Sequence, residues 1–150
     1  MKRIGVLILA GVCALLAGCS LLEETNDTLT YVNQANDYIS QASSFAEEAP
    51  ALIEEAATDP QAGEELQNTL QSIKEEAASF NKLEAPGVVS DLHDQLVEQN
   101  NRLTAGINEW QNRIEDGTLN VSELENSEIF QSIQQITSIY NQIEELTGES

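Results

Sequence analysis

Apolar residues recur through this chain at intervals of three and four, and that rhythm leaves one fold class open. After Pro60 they are Leu66, Leu70, Ile73, Ala77 and Phe80, spaced 4, 3, 4, 3. A helix turns once in about 3.6 residues, so this spacing lays every one of them on a single stripe. Upstream, Val32, Ile39, Ala46 and Ile53 repeat every seven residues, as do Ala35, Ala42, Ala49 and Ala56. Tyr31, Tyr38, Phe45 and Leu52 form a third line, and the three together make one broad apolar face. Core packing, with the tyrosine hydroxyls at its rim, is the expected use of that face; a ligand platform is the alternative. Downstream, Val89, Leu96, Leu103 and Trp110 run beside His93, Asn100, Ile107 and Ile114. The last set is Ile129, Ile133, Ile136, Ile139, Tyr140, Ile143 and Leu146. No stretch shows the strict alternation a half-buried strand requires.

Punctuation between these sets is strong. Thr58-Asp59-Pro60 reads as a stop and a restart, with Asp59 as N-cap and Pro60 at the first helical position. Glu84-Ala85-Pro86-Gly87 and Asp116-Gly117 are turn chemistry, and Ser122 to Glu125 has capping-box spacing. The second helix is expected to end near Leu83 and the third to run from Val88 or Ser90 to Ile114. Pro50 interrupts the first set, yet the seven-residue phase passes it unbroken. That predicts a kinked helix or one restarted on the same axis, not a reversal. Two exposed pairs, Glu98 with Arg102 and Glu109 with Arg113, stand four apart in the favourable order. Four helices with short connections predict an all-α, up-down-up-down four-helix bundle.

The N-terminus has a different logic. Lys2 and Arg3 precede an apolar run from Ile4 to Leu16, which ends in Leu16-Ala17-Gly18-Cys19. Positive, apolar and small residues in that order form an export signal. The run is shorter than the ~20 residues a membrane span needs. The final four residues fit the lipobox of bacterial lipoproteins, in which a diacylglyceryl group is attached to the cysteine sulfur. Cleavage is expected between Gly18 and Cys19, with residues 1–18 as the leader and 19–150 as a single lipid-anchored domain. Two acyl chains hold a protein stably where one does not, at about 0.8 kcal/mol per buried methylene. The expected location is the extracytoplasmic face of the cell membrane. No long Gly/Ser tether follows Cys19, so the packed domain is expected to begin close to the bilayer. Cys13 leaves with the leader and Cys19 is lipidated, so neither a disulfide nor a thiol nucleophile is expected in the mature domain.

Charge narrows the partners. The chain carries 6 basic and 26 acidic residues; without Lys2 and Arg3 the formal net charge is −22. Nucleic acid is excluded, because binding it requires cationic contacts that displace counterions. Cationic peptides, cationic proteins and divalent cations are the electrostatically allowed partners, although solubility alone also accounts for such a surface. The recurring acidic doublets diverge by about 100° on a helix and cannot chelate one ion together. His93 is the only histidine; without a second ligand at metal spacing it makes a poor zinc site, and no metal or cofactor is expected. No nucleophile elbow and no phosphate-cradling glycine loop occurs, so no enzyme activity is expected. The oddity that remains is a polar pair, His93 and Asn100, seven apart at seam positions. It reads either as a small pocket or as a layer that fixes helix register, as a buried Asn does in coiled coils. The second reading is favoured, and it predicts that His93→Leu keeps or gains stability. The expected role is a non-enzymatic, lipid-anchored protein-interaction module. The alternative is capture of a cationic peptide or other cationic ligand in an apolar groove along the first helix.

These residues also support a resemblance. It begins with Cys19-Ser20-Leu21-Leu22-Glu23-Glu24, Tyr31-Val32-Asn33, Tyr38-Ile39, and Phe45-Ala46 leading to Ala49-Pro50. It continues through Phe80-Asn81, Leu83 with Ala85-Pro86, Leu92-His93, and Glu125-Asn126-Ser127-Glu128-Ile129-Phe130. The chain resembles a family of small uncharacterised lipoproteins of Bacillus and related Gram-positive bacteria. The likeness spans nearly the whole chain and rests on sequence style, with no chemical motif in it. What it implies is location, the outer face of a Gram-positive cytoplasmic membrane; it assigns no catalytic or binding residue.

Overall fold

A computed structural model describes residues 18–124 and 126–148. Residues 1–17 of the leader, the thiol of Cys19 and half of the Ser122–Glu125 capping box lie outside the described residues and side chains. The elements are α1 (Gly18–Ala56), α2 (Pro60–Phe80), a 3-10 turn (Gly87–Val89), α3 (Ser90–Glu115), a single turn α4 (Val121–Leu124) and α5 (Glu128–Thr147). Helix α1 packs on α2 and α5, and α3 packs on the same two, so α1 and α3 face each other across the diagonal. This is the expected all-α, up-down-up-down four-helix bundle.

The caps follow from the residues at each end. Asp59 has extended backbone and its Oδ1 accepts from Gln61 N at 2.9 Å, with Pro60 opening α2. Helix α2 ends at Phe80, three residues before the expected Leu83, because Asn81 to Leu83 tighten into turns on Ala77, Ser79 and Phe80. Gly117, at φ 66°, closes α3: its N–H reaches Ile114 O while Thr118 N–H reaches Arg113 O. That paired pattern needs a left-handed residue, which glycine adopts without strain. Ser122 donates both its N–H and its hydroxyl to Asn120 Oδ1, at 3.0 and 2.7 Å. Ser127 caps α5, accepting from Phe130 N.

Helix α1 runs through Pro50 without interruption over 39 residues. The proline lacks an N–H, so the Ala46 carbonyl loses that donor, and the packed apolar face keeps the helix going. Its first buried residue among those described is Tyr31. Twelve residues of helix separate Tyr31 from Cys19, about 18 Å at 1.5 Å per residue.

The core takes the stripes as written. Leu66, Leu70, Ile73, Ala77 and Phe80 are all buried, as are Val89, Leu96, Leu103, Ile107 and Trp110. Ile129, Ile133, Ile136, Ile139, Tyr140 and Ile143 of α5 close the fourth side. At the margins Ala46, Leu52, Ala56 and Ile114 are half-buried. Both expected surface pairs form, Arg102 to Glu98 at 2.7 Å and Arg113 to Glu109 at 2.8 Å. Arg113 also pairs with Glu123, which ties α4 to the end of α3.

Candidate functional site

The polar pair named by the sequence is buried and has partners on α1. His93 is 8% exposed and Asn100 0%. Tyr31 and Tyr38, at 2% and 3%, reach them across the bundle diagonal. The Tyr31 hydroxyl lies 3.0 Å from His93 Nδ1. The Tyr38 hydroxyl donates to Asn100 Oδ1 at 2.6 Å, and Asn100 Nδ2 donates to Asn81 Oδ1 at 2.7 Å. Each tyrosine stands 62 residues before its partner. That equal offset is the mark of two parallel helices in register, since a step of seven on α1 is matched by a step of seven on α3.

Phe80 fills the space between the two rungs. Its ring centroid lies 5.9 Å from Tyr31, 5.3 Å from Tyr38 and 5.4 Å from His93. The hydroxyls are therefore inside the core, not at the rim of the α1 face as its sequence suggested. The α1 stripe is wide enough that its central line points along the diagonal. Sequence reasoning paired His93 with Asn100 but missed Tyr31 and Tyr38. The signal was there in matched spacing: two hydroxyls seven apart on one helix and two acceptors seven apart on another.

Electrostatically the seam is a neutral layer. Burial pushes the His93 imidazole below its ordinary value of 6.5, with the Asp94 charge pulling the other way. Burial raises the phenols of Tyr31 and Tyr38, and Glu76 adds to the shift at Tyr38. No described side-chain N or O that is buried lacks a hydrogen-bond partner. The Asn100 amide is bonded on both edges, through Oδ1 to Tyr38 and through Nδ2 to Asn81, and His93 Nδ1 is taken up by the Tyr31 hydroxyl. None of the four described clefts is lined by His93 or Asn100.

The clefts lie elsewhere. One of about 350 Å³ between α3 and α5 is lined by Gln99, Arg102, Gln131 and other polar side chains. A second, of about 380 Å³, is bounded by Asp27, Thr30, Gln34 and the α2–α3 connection. A third lies between the 3-10 turn and α5. It measures about 540 Å³ and is lined in part by Val88, Leu92 and Leu146. Among the described residues no cluster of three or more His, Cys, Asp or Glu is placed to hold a metal ion. No helix among them is long and apolar enough to cross a membrane.

Comparison with known proteins accounts for the same packed region. The profile of a family of unknown function, DUF6376, matches residues 31–146. The chain belongs to this family. The matched stretch begins at Tyr31, the first buried residue of α1 among those described, and ends at Leu146 in the last turn of α5. The chain is also 39% identical over 145 residues to a Bacillus subtilis (strain 168) protein described as uncharacterized lipoprotein YybP, covering 96% of this chain and 98% of the relative. No solved structure matches.

Proposed function

We propose that this DUF6376 chain is a lipid-anchored, non-enzymatic protein-interaction module at the extracytoplasmic face of the membrane, held there through Cys19. The observation that carries the reading is the lipobox Leu16-Ala17-Gly18-Cys19 in a chain aligned over 96% of its length with a lipoprotein. The helical run from Cys19 to Tyr31 supports it, because a helix sets a packed domain off from an anchor without a flexible linker. The state of the only histidine supports the non-enzymatic part: it is buried against Tyr31 and lines none of the described clefts.

Two measurements test the reading. Mass spectrometry of the N-terminal peptide purified from membranes should find Cys19 as residue one, with the mass of a diacylglyceryl group added. An unmodified N-terminus at Met1 overturns the anchor. In-cell cross-linking of the native protein, with Cys19→Ala as control, should capture a recurrent partner that the control loses. Capture of nothing above background removes the interaction module.

The second reading is capture of a cationic peptide or other cationic ligand. It is favoured by the −22 charge of residues 19–150. Binding of that kind weakens steeply between low and physiological salt, because surface charges are screened beyond a Debye length of about 8–10 Å.

A further inference from the structure

The large apolar side chains left exposed among the described residues are Leu29, Val88 and Leu146, at 42%, 56% and 58%. All three stand at the end of the bundle from which α1 enters. Val88, in the 3-10 turn, and Leu146, in the last turn of α5, share one cleft with the half-buried Leu92. The neighbouring Val89 is fully buried, so the 3-10 turn is pinned to the core by one valine and presents the other outward.

The charges on this cleft are of one sign. Asp91 stands on the α3 wall and Glu145 on the α5 wall, with Gln142 beside them. None of Lys74, Lys82, Arg102 or Arg113 lines it. An aliphatic floor between two carboxylates selects among occupants. A purely apolar partner would cover both carboxylates and leave them without counter-charge, which is costly. A second copy docked by the same surface would set Asp91 and Glu145 against their own equivalents. An anionic lipid surface would meet like charge. What satisfies floor and walls together is a helix that presents an aliphatic ridge flanked by Lys or Arg.

We propose that the cleft formed by Val88, Leu92 and Leu146 between Asp91 and Glu145 is the docking surface for a cationic amphipathic helical segment. Its apolar ridge seats on the three aliphatic side chains, and its basic residues pair with the two carboxylates. The proposal rests on the reading of the chain as an interaction module and names the partner chemistry of that module. Such segments concentrate at membrane surfaces, lying in the interface plane. A cleft at the anchor end of the bundle is placed to meet them there.

The probe is a fluorescent Leu/Lys peptide with helical amphipathic period, titrated against the full chain in phosphatidylcholine vesicles, with protein-free vesicles as blank. Saturable binding is expected, falling by about tenfold or more from about 50 to about 500 mM NaCl. Val88→Ser with Leu146→Ser should weaken it by about tenfold, as should Asp91→Asn with Glu145→Gln at low salt, each tenfold being about 1.4 kcal/mol. All four residues are exposed, so the fold should survive, and circular dichroism checks it. A control pair on α2, Glu64→Gln with Glu65→Gln, removes the same charge away from the cleft and should leave binding unchanged. Binding that the control pair weakens as much as the cleft pairs is diffuse attraction to the acidic surface; that overturns the cleft while leaving the module intact. No binding of the peptide above the blank also overturns the proposal, and the cross-linking experiment then judges the module separately.

Discussion

A phenol hydroxyl inside a helical core has to be matched, and Tyr31 depends on one imidazole nitrogen for its match. That dependence reverses the expectation that His93→Leu is harmless. Leucine would fill the volume but orphan the hydroxyl, at about 1–3 kcal/mol. Urea unfolding at pH 7.5 should show that loss, and adding Tyr31→Phe should recover most of it. A double-mutant cycle with no coupling would show that the 3.0 Å contact contributes nothing. Protonation supplies a second reading of the same residue. Above pH 6.5 neither the folded nor the unfolded chain holds the imidazole proton, and the group costs nothing. Below it, the unfolded chain takes up a proton that the buried site resists, so stability should decline as pH falls from 6.5. His93→Leu should flatten that part of the profile. The sequence exposed this layer only partly. His93 and Asn100 stood out as polar residues on an apolar stripe, whereas a tyrosine on such a stripe looks the same whether its hydroxyl turns inward or out. Which way it turns depends on the width of the α1 face and on which helix lies across the diagonal, and neither is a local property.

Glycines separate what a helix wants from what two helices need. Gly63 lies in the interior of α2, and a Cβ there would meet Ala56 O and an Ile114 methyl at 3.9 Å, ordinary contact. Gly63→Ala should stabilise the protein by about 0.5–1 kcal/mol through backbone entropy. Gly106 lies on α3 where α5 begins, and a Cβ would come within 3.0 Å of Ile129 Cγ1 and 3.1 Å of its backbone nitrogen. The nitrogen cannot rotate away, so Gly106→Ala should raise Tm nowhere and cost about 1–3 kcal/mol by forcing the helices apart. Thermal melts of the two variants side by side test both signs. Nothing in the sequence separated these two glycines, because each sits in a helical pattern and only the crossing of α3 and α5 tells them apart. The helices themselves were legible. Asp59-Pro60, Pro86-Gly87 and Asp116-Gly117 are local chemistry that acts before any packing, and the stripes between them have one period. Pro50 was legible too: the unbroken seven-residue phase ruled out a reversal, and α1 runs through the proline by virtue of the face it buries.

At the scale of the whole molecule, the acidic surface works against compactness. Residues 19–150 hold four basic residues against 26 acidic ones. Two of the four, Arg102 and Arg113, are spent on neighbouring glutamates, and Lys74 bonds the amide oxygens of Asn108 and Gln111. Self-repulsion of this size is screened by salt. The melting temperature should therefore climb as NaCl is raised from about 20 to about 500 mM, by several degrees for a domain of this length. A flat response would mean that the repulsion survives equally in the unfolded chain. The two diagonal rungs bear on a different problem. A chain whose apolar lines repeat every seven residues is nearly degenerate: sliding α3 along α1 by one repeat restores aliphatic contact almost everywhere. The rungs are not interchangeable in this way. Slipped by one repeat, one rung would swap partners, setting Tyr38 against His93, but Asn100 would be carried up to Phe45 and Tyr31 would be left facing the α2–α3 connection. One stranded amide and one stranded hydroxyl penalise the misaligned bundle and leave the aligned one untouched, so a few buried polar atoms proofread a pattern that greasy residues alone would leave ambiguous.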